Sequence, residues 1–592
     1  MRLFRTSRAA LTLLASGIAL AAAAPAMAEN SGRIGAEPSA AIPTLLSSND
    51  RDYYRSLFAA IDKEDWTKVQ QMFADRPTGP LHQVALAEYY LAAHSPKVDA
   101  GQVQQWLANG GTALPQAQQL VNLGLKRGLT DVPQLPVEQP FYRQPASPQR
   151  TRPATVADGT MPDTVRQAIL DRITNDDPDG ARQLLDGVDA ALSPEARAEW
   201  RERVAWSYYI ENRDADSLAL AQTVSDGAGP WVAEGDWNAG LAAWRQNDCV
   251  NSLAGFERAA GHSTNPELTA ASWYWANRAA VRCREPEKAA TSLKRAAALD
   301  ETLYGMLAAE ALGTSLPKRA AGQNFARGDW DRLKDDNNVR VAIELSEVGR
   351  DDLASEVLLH QARIGDASDY ASLARLARGL GLPTAQLYMA YNAPPGAKAD
   401  LAARYPVTKW QPVDGWQVDP ELAYAHIMQE SRFQTAAVSP ANARGLMQIT
   451  PITVRQHAGR LNLDASDVDL KDPRVNLAFG QENLEMLRDS PVTQASLIKV
   501  MAAYNAGLTP VTKWNGQVND QGDPLLYMES IPYWETRSYV AIVMRNYWMY
   551  ERQAGDGSPS RQALAADHWP MFPGQSGGSS SGRVYLTAVA EN

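Results

Sequence analysis

The stretch Glu430-Ser431-Arg432-Phe433-Gln434-Thr435-Ala436-Ala437-Val438-Ser439-Pro440-Ala441-Asn442-Ala443-Arg444-Gly445-Leu446-Met447-Gln448-Ile449-Thr450 decides how the rest of the chain is read. Just before it, Asp419 and Pro420 form an N-cap and first-turn pair, which predicts a helix over about 421–431 with Glu430 in its last turn. A carboxyl there faces the negative end of the helix dipole and shares a face with Ala423 and Ile427. Both effects favour its protonated form. Small residues and a turn follow, then Gly445, where the backbone can turn tightly or approach a ligand. Such a segment would wall a cleft beside an acid. Taken alone, a helix end and a core turn would be the better explanation.

The stretch does not stand alone. After Glu430-Ser431, Phe433, Ser439 and Gly445-Leu446-Met447-Gln448 come Leu470, Asp472-Pro473 and Asn476-Leu477-Ala478-Phe479-Gly480. Ala503-Tyr504-Asn505-Ala506-Gly507 follows, then Glu529-Ser530-Ile531-Pro532, Glu535-Thr536-Arg537 and Tyr539-Val540. These blocks, in this order, resemble the goose-lysozyme-like catalytic domain of the soluble lytic murein transglycosylases. The resemblance is specific over about 413–551. Three positions depart from the pattern: Asn442-Ala443 stands for Gly-Ala, Thr450 for a methionine and Thr435 for a proline. Asparagine tolerates a left-handed turn, so the fold should survive, and the doubt falls on subsite preference.

Cleaving a glycosidic bond at neutral pH requires a proton for the leaving oxygen, and Glu430 is the candidate donor. Ordinary glycosidases add a second carboxylate. The blocks offer no obvious one, and Asp464, Asp467, Asp469 and Asp472 read as loop and helix cap. The resemblance implies that the substrate supplies the nucleophile: the N-acetyl group of muramic acid assists departure of the leaving sugar. The same glutamate then takes the C6 hydroxyl proton, giving a 1,6-anhydromuramic end without water. It further implies that Tyr504 is catalytic, its hydroxyl approaching Glu430, and that Ser439, Met447, Gln448, Asn505, Glu535 and Tyr539 bind substrate. Ser439 and Gln448 would meet sugar hydroxyls or acetamido groups, Glu535 the peptide stem, and Tyr539 would line the reaction centre. From the residues alone, Tyr504 ends a helix striped by Leu497, Val500 and Met501, with Gly507 at its C-terminal turn.

Other chemistries lack support. His426 and Glu430 share a helix face, but no His-Glu-x-x-His motif accompanies them, so no metal and no cofactor is expected. There is no nucleotide-binding phosphate loop, and Gly-x-Ser-x-Gly occurs only within the Gly-Ser tail at 574–582, not as a strand-to-helix elbow. A formal charge of −11 argues against nucleic acid and against anionic membrane as the main partner. The expected partners are peptidoglycan glycan strands and their peptide stems, with cell-wall synthesis or division proteins as candidates. Two rival readings stay open: a muramidase of the same fold that admits water, and a scaffold that binds glycan without cutting it.

The rest of the chain is read as all-α. Arg2, Arg5 and Arg8, an apolar run from Ala9 to Ala24 and Ala26-Met27-Ala28 form a secretory signal over 1–28, which implies export to the periplasm with no stable membrane insertion. A disordered lead-in over 29–45, an N-terminal helical region over 46–132 and an extended Pro-rich linker over 133–160 follow. Over 161–405, short helices recur between Asn, Asp, Gly and Pro. Phe256-Glu257-Arg258-Ala259-Ala260 is echoed by Leu293-Lys294-Arg295-Ala296-Ala297, and Gly235-Asp236-Trp237 by Gly328-Asp329-Trp330. The pattern predicts helical hairpins stacked into a superhelix, and Tyr304-Gly305-Met306-Leu307-Ala308-Ala309 resembles, more weakly, the superhelical part of the same family. The catalytic domain is placed at 410–552, and a flexible Gly-Ser tail at 553–592. Cys249 and Cys283, the two cysteines, are either a disulfide or two buried thiols.

Overall fold

The computed structural model describes residues 41–314, 316 and 324–574; the signal over 1–28 lies outside them. Helices dominate, as read from the sequence, and among the described residues the strand content is one two-stranded antiparallel pair, Tyr142–Arg143 with Asn392–Ala393. Among the described residues no helix is long and apolar enough to cross a membrane.

The superhelix is built from one recurring turn. Asn247 follows the helix Trp231–Arg245 with φ 57°, and Asp248 N–H donates back to Ala243 O at 3.0 Å. Asp248 then caps the next helix, Cys249–His262, by accepting from Asn251 N–H. This is the left-handed closure that ends a helix while satisfying its last carbonyls. The same closure recurs at Glu64, Asp176, Asn212, Arg284, Gly349 and Gly381, each with φ between 54° and 80°. It sends each helix back along its predecessor, so the apolar stripes of neighbours meet.

Of the two sequence echoes, the first is structural. Its members lie on the second helices of adjacent hairpins, Cys249–His262 and Pro286–Ala297. The second is not: Gly235-Asp236-Trp237 sits inside a helix, whereas Gly328-Asp329-Trp330 opens the helix Arg327–Leu333. The two members of this second echo share only a buried aspartate that holds an arginine, Asp236 with Arg258 and Asp329 with Arg375. Cys249 and Cys283 are disulfide-bonded, with Cα atoms 5.4 Å apart, and staple the turn of the first of these hairpins to the turn of the next.

The cores do not follow the order of the chain. One joins the N-terminal helices (Tyr54, Phe58, Trp106, Leu120) to Val339, Leu358, Tyr370 and Leu376. Another runs without a break from the hairpins (Trp237, Phe256, Trp275, Tyr304) into the C-terminal domain (Leu422, Met447, Met501, Tyr547). The extended segment over 133–160 straps them together. Gln139 N–H donates to Arg363 O and Gln144 N–H to Tyr391 O, at 2.9 and 2.7 Å. Further along, Pro148 O accepts from Arg545, and Trp231 Nε1–H donates to Ala154 O.

The segment expected to be a flexible tail from 553 folds as far as residue 574. A helix, Pro559–Ala565, buries Leu564, and Met571 bridges to Ser496 while Trp569 packs on Tyr527. The aromatic cluster at 568–572 provides enough apolar surface to hold it down. Residues 41–45, read as part of the lead-in, end against Glu347, whose carboxylate accepts from Leu45 N–H and Leu46 N–H.

Candidate active site

The acid sits where the sequence put it. The helix Pro420–Glu430 is capped by Asp419, which accepts from Glu421 N–H, and it ends at Glu430 with Ala423 and Ile427 buried beneath. Asp419 is itself anchored by Tyr547 O–H at 2.8 Å. Glu430 is half-buried, and burial pushes its carboxyl up to about 7; the Tyr539 hydroxyl pulls the other way and the Glu535 charge adds to the rise. No cation opposes this shift, so the protonated form persists near neutrality.

The contact expected of Tyr504 belongs instead to Tyr539. Tyr539 O–H donates to Glu430 Oε1 at 2.6 Å. Tyr504 lies close enough for the Glu430 charge to oppose ionisation of its phenol, but its O–H donates to Met447 O at 2.8 Å. The other carboxyl oxygen, Glu430 Oε2, has no hydrogen bond among the described residues. His426 lies under both phenols, its ring 4.9 Å from that of Tyr504 and 6.2 Å from that of Tyr539. Burial lowers it to about 4, so the ring is neutral and Nδ1–H donates to Leu422 O.

The wall beside the acid is held by Asn476, which the sequence reading quoted within a motif but gave no role. Fully buried, it accepts from Met447 N–H at 2.8 Å and donates to Arg444 O and Leu470 O, both at 2.9 Å. Gly445, at φ 74°, lies so close that a Cβ there would clash with the Asn476 amide and Leu470 O. A Cβ on Gly480 would likewise clash with Met447 Sδ. The first and second blocks therefore interlock, and Asn442 takes the left-handed turn at φ 60°. A buried asparagine bonded at three points reads in sequence as an ordinary N-terminal helix residue, so only its place in the motif marked it.

The expected binding residues divide. Met447 is a correction: its side chain is fully buried against Gly480, so it can offer a ligand only backbone. Ser439 Oγ accepts from Ala443 N–H, shaping the turn, and is half-buried. Gln448, at φ 50°, donates its amide to Gly445 O at 3.0 Å. Asn505 Oδ1 accepts from Thr536 O–H at 2.7 Å, joining the third block to the fourth. Glu535 is exposed at the rim and Tyr539 is buried at the centre. Asp464, Asp469 and Asp472 each accept from a backbone N–H two residues on, as loop and cap residues do.

The fourth block also docks the domain. Glu529 accepts from Tyr304 O–H at 2.6 Å and from Arg150 at 3.2 Å, and Ser530 bonds the Tyr209 hydroxyl. Arg537 stacks on Trp206 and Trp534 while donating to Glu529 O and Ile531 O. Thr435, one of the departures from the pattern, donates to Asp352 Oδ2 of the superhelix at 2.8 Å.

Fold and site together describe a compact helical domain with a single poised acid, set on a helical superhelix that shares its core. Residues 410–526 match the transglycosylase SLT domain family, and this part of the chain belongs to that family. Over 164 residues, 27% of the chain, it is 32% identical to the soluble lytic murein transglycosylase of Escherichia coli K12. Over 175 residues, 29% of the chain, it is 30% identical to the soluble lytic murein transglycosylase of Salmonella typhimurium. The matches span 24% and 25% of those relatives' own lengths. A solved complex of a 70-kDa soluble lytic transglycosylase with bulgecin A shares the fold over 85% of this chain and 86% of that one, at TM-score 0.50 and 18% identity.

Proposed function

We propose that this protein is a lytic murein transglycosylase, a carbon–oxygen lyase that cuts the MurNAc–GlcNAc β-1,4 bond of peptidoglycan and leaves a 1,6-anhydromuramic end. The observation that carries the reading is Glu430: a carboxyl raised to about 7 by burial, held by one phenol and facing no cation. Protonated, it gives its proton to the leaving oxygen. The N-acetyl group of the muramic sugar attacks the anomeric carbon as the bond breaks. The carboxylate, its cost of desolvation eased by Tyr539, then takes the C6 hydroxyl proton while that oxygen displaces the acetamido group. One residue acts as acid and then base, and no water is consumed.

In this reading Tyr504 is a positioning residue that clamps the Met447 backbone, and Tyr539 steadies the charge on Glu430. Ser439, Gln448 and Asn505 line the sugar path, and Glu535 meets the peptide stem at the rim. The secretory signal at the start of the sequence supports a periplasmic location.

A hydrolytic muramidase is the second reading, favoured by one observation: Glu535 is near enough for its charge to act on Glu430, as a base for water would be. Mass spectrometry of digested cell wall separates them. Anhydro ends support the transglycosylase, and reducing ends overturn it in favour of hydrolysis. Absence of either product from folded protein would leave the glycan-binding scaffold.

A further inference from the structure

A cavity opens against the last turn of the acid helix, beside Met428 and Gln429. Its volume is about 530 Å³, within the range of ligand pockets. Four elements far apart in sequence enclose it: the strap at Arg143 to Gln149, the helix Pro383–Tyr391, the segment around Arg432, and the helix Trp534–Ala554 through Arg545 and Asn546. Superhelix and catalytic domain thus both contribute.

Its charge is one-sided. Arg143, Arg432 and Arg545 line it, and no aspartate or glutamate does, in a chain of net charge −11. Arg143 and Arg432 are exposed, and neither guanidinium makes a hydrogen bond or ion pair with any described residue. Arg545 is 2% exposed; its Nη1 and Nη2 reach Glu267 and Asn546, while its buried Nε–H has no partner. Arg432 is held at φ 51°, and Phe433 after it at φ 65° is fastened by Thr384, so the loop carrying this guanidinium is fixed from the superhelix.

The remaining lining identifies the ligand class. Gln149, Gln429 and Asn392 bring side-chain amides, which both donate to and accept from peptide groups. Leu387 and Met428 offer apolar contact. A cavity of this size exceeds the needs of one inorganic anion, and planar guanidinium forks suit carboxylates.

We propose that this cavity binds a peptide bearing two or more carboxylates, the stem carried by the glycan strand, with Arg143 and Arg432 taking the carboxylates at the mouth and Arg545 at the wall. The proposal rests on the peptidoglycan reading and adds a stem site beside Met428 and Gln429 whose lining does not include Glu535.

The test is calorimetric titration of the full chain with a synthetic acidic tripeptide, at low and physiological salt. The wild type should bind it, Arg143→Ala/Arg432→Ala should weaken binding about tenfold or more, and Arg143→Glu should weaken it further. Arg143→Lys/Arg432→Lys should recover part of the loss, and excess phosphate should compete only weakly. In turnover, the double alanine variant should raise KM for stem-bearing glycan relative to stem-free glycan. Failure of the wild type to bind the peptide, or equal binding by the double variant, overturns the proposal, as does full displacement by phosphate, which would mark a simple anion site. If the wild type binds peptide but cuts neither glycan, the transglycosylase reading fails and the pocket stands. If it cuts both with a KM ratio that the variants leave unmoved, the pocket fails alone.

Discussion

Glu267, where the hairpins meet the C-terminal domain, and Glu430, at the end of the helix Pro420–Glu430, are two glutamates that burial pushes upward beside one continuous core. Glu267 has both oxygens committed, Oε1 to Arg545 at 3.2 Å and Oε2 to Leu303 N–H at 3.1 Å. Glu430 has one oxygen on Tyr539 and no cation at hand. The same desolvation therefore has two outcomes. With a guanidinium and a backbone donor the carboxyl is part of the joint; with a lone phenol and one oxygen unbonded among the described residues it can pass a proton to a ligand. Burial alone does not single out an acid, since Glu202 is also raised to about 7. The lack of any cation acting on the carboxyl does, since Glu202 sits among Arg152, Arg203 and Arg537 and Glu430 has only the Tyr539 phenol.

The largest effect that would sharpen this contrast is Glu430→Gln, which should lower turnover by about a thousandfold or more while glycan binding persists. Retained turnover would remove the proposed acid. Tyr539→Phe should cost about ten- to a hundredfold in turnover and move the alkaline limb of kcat/KM upward, because a hydrogen bond favouring the ionised form is lost. In the wild type that limb should fall as pH rises through about 7, where Glu430 ionises.

Glu267→Gln tests the other side. Leaving Arg545 without its charge partner should cost about 3 kcal/mol of stability in chemical denaturation, with turnover per folded molecule within about threefold of wild type. A collapse of turnover equal to that of Glu430→Gln would break the comparison. The smallest effect is in the pH dependence of stability. Glu430 has a folded pKa raised from 4.5 to about 7, so the native state holds more protons than the unfolded chain in that window and stability falls as pH rises across it. Glutamine cannot ionise, so Glu430→Gln should gain about 1–2 kcal/mol on the wild type between pH 5 and pH 8. An equal difference at both pH values would mean Glu430 is ordinary in the free enzyme.

The acid helix was legible because a cap, a proline and an apolar face are local signals, and its end fell within a residue of the expected place. The superhelix was legible only as a tendency. Its repeat is carried by a turn geometry that Asn, Asp, Glu, Arg and Gly all satisfy, so the chain repeats a conformation without repeating letters. Of the two echoes, one marked equivalent helices and the other only a buried Asp–Arg pair. The site was legible as a set of residues but not as a wiring plan. Which tyrosine reaches Glu430, that Met447 faces inward and that Asn476 holds the wall all depend on how distant helices cross. The fourth block concealed two tasks, with Tyr539 at the carboxyl and Glu529 at the joint. The fold of residues 559–574 was missed because a short aromatic cluster has no period of its own.

The unbroken core beneath hairpins and catalytic domain has a consequence for anyone who would trim the protein. Expressing 410–574 by itself would strip Trp206 from Arg537 and Tyr209 from Ser530 and leave the Glu529 carboxylate without Tyr304 and Arg150. Such a fragment should be sticky and loosely set, and calorimetry of the whole chain should show hairpins and enzyme melting as a single event. The superhelix is then less a handle attached to a machine than the other half of its casting.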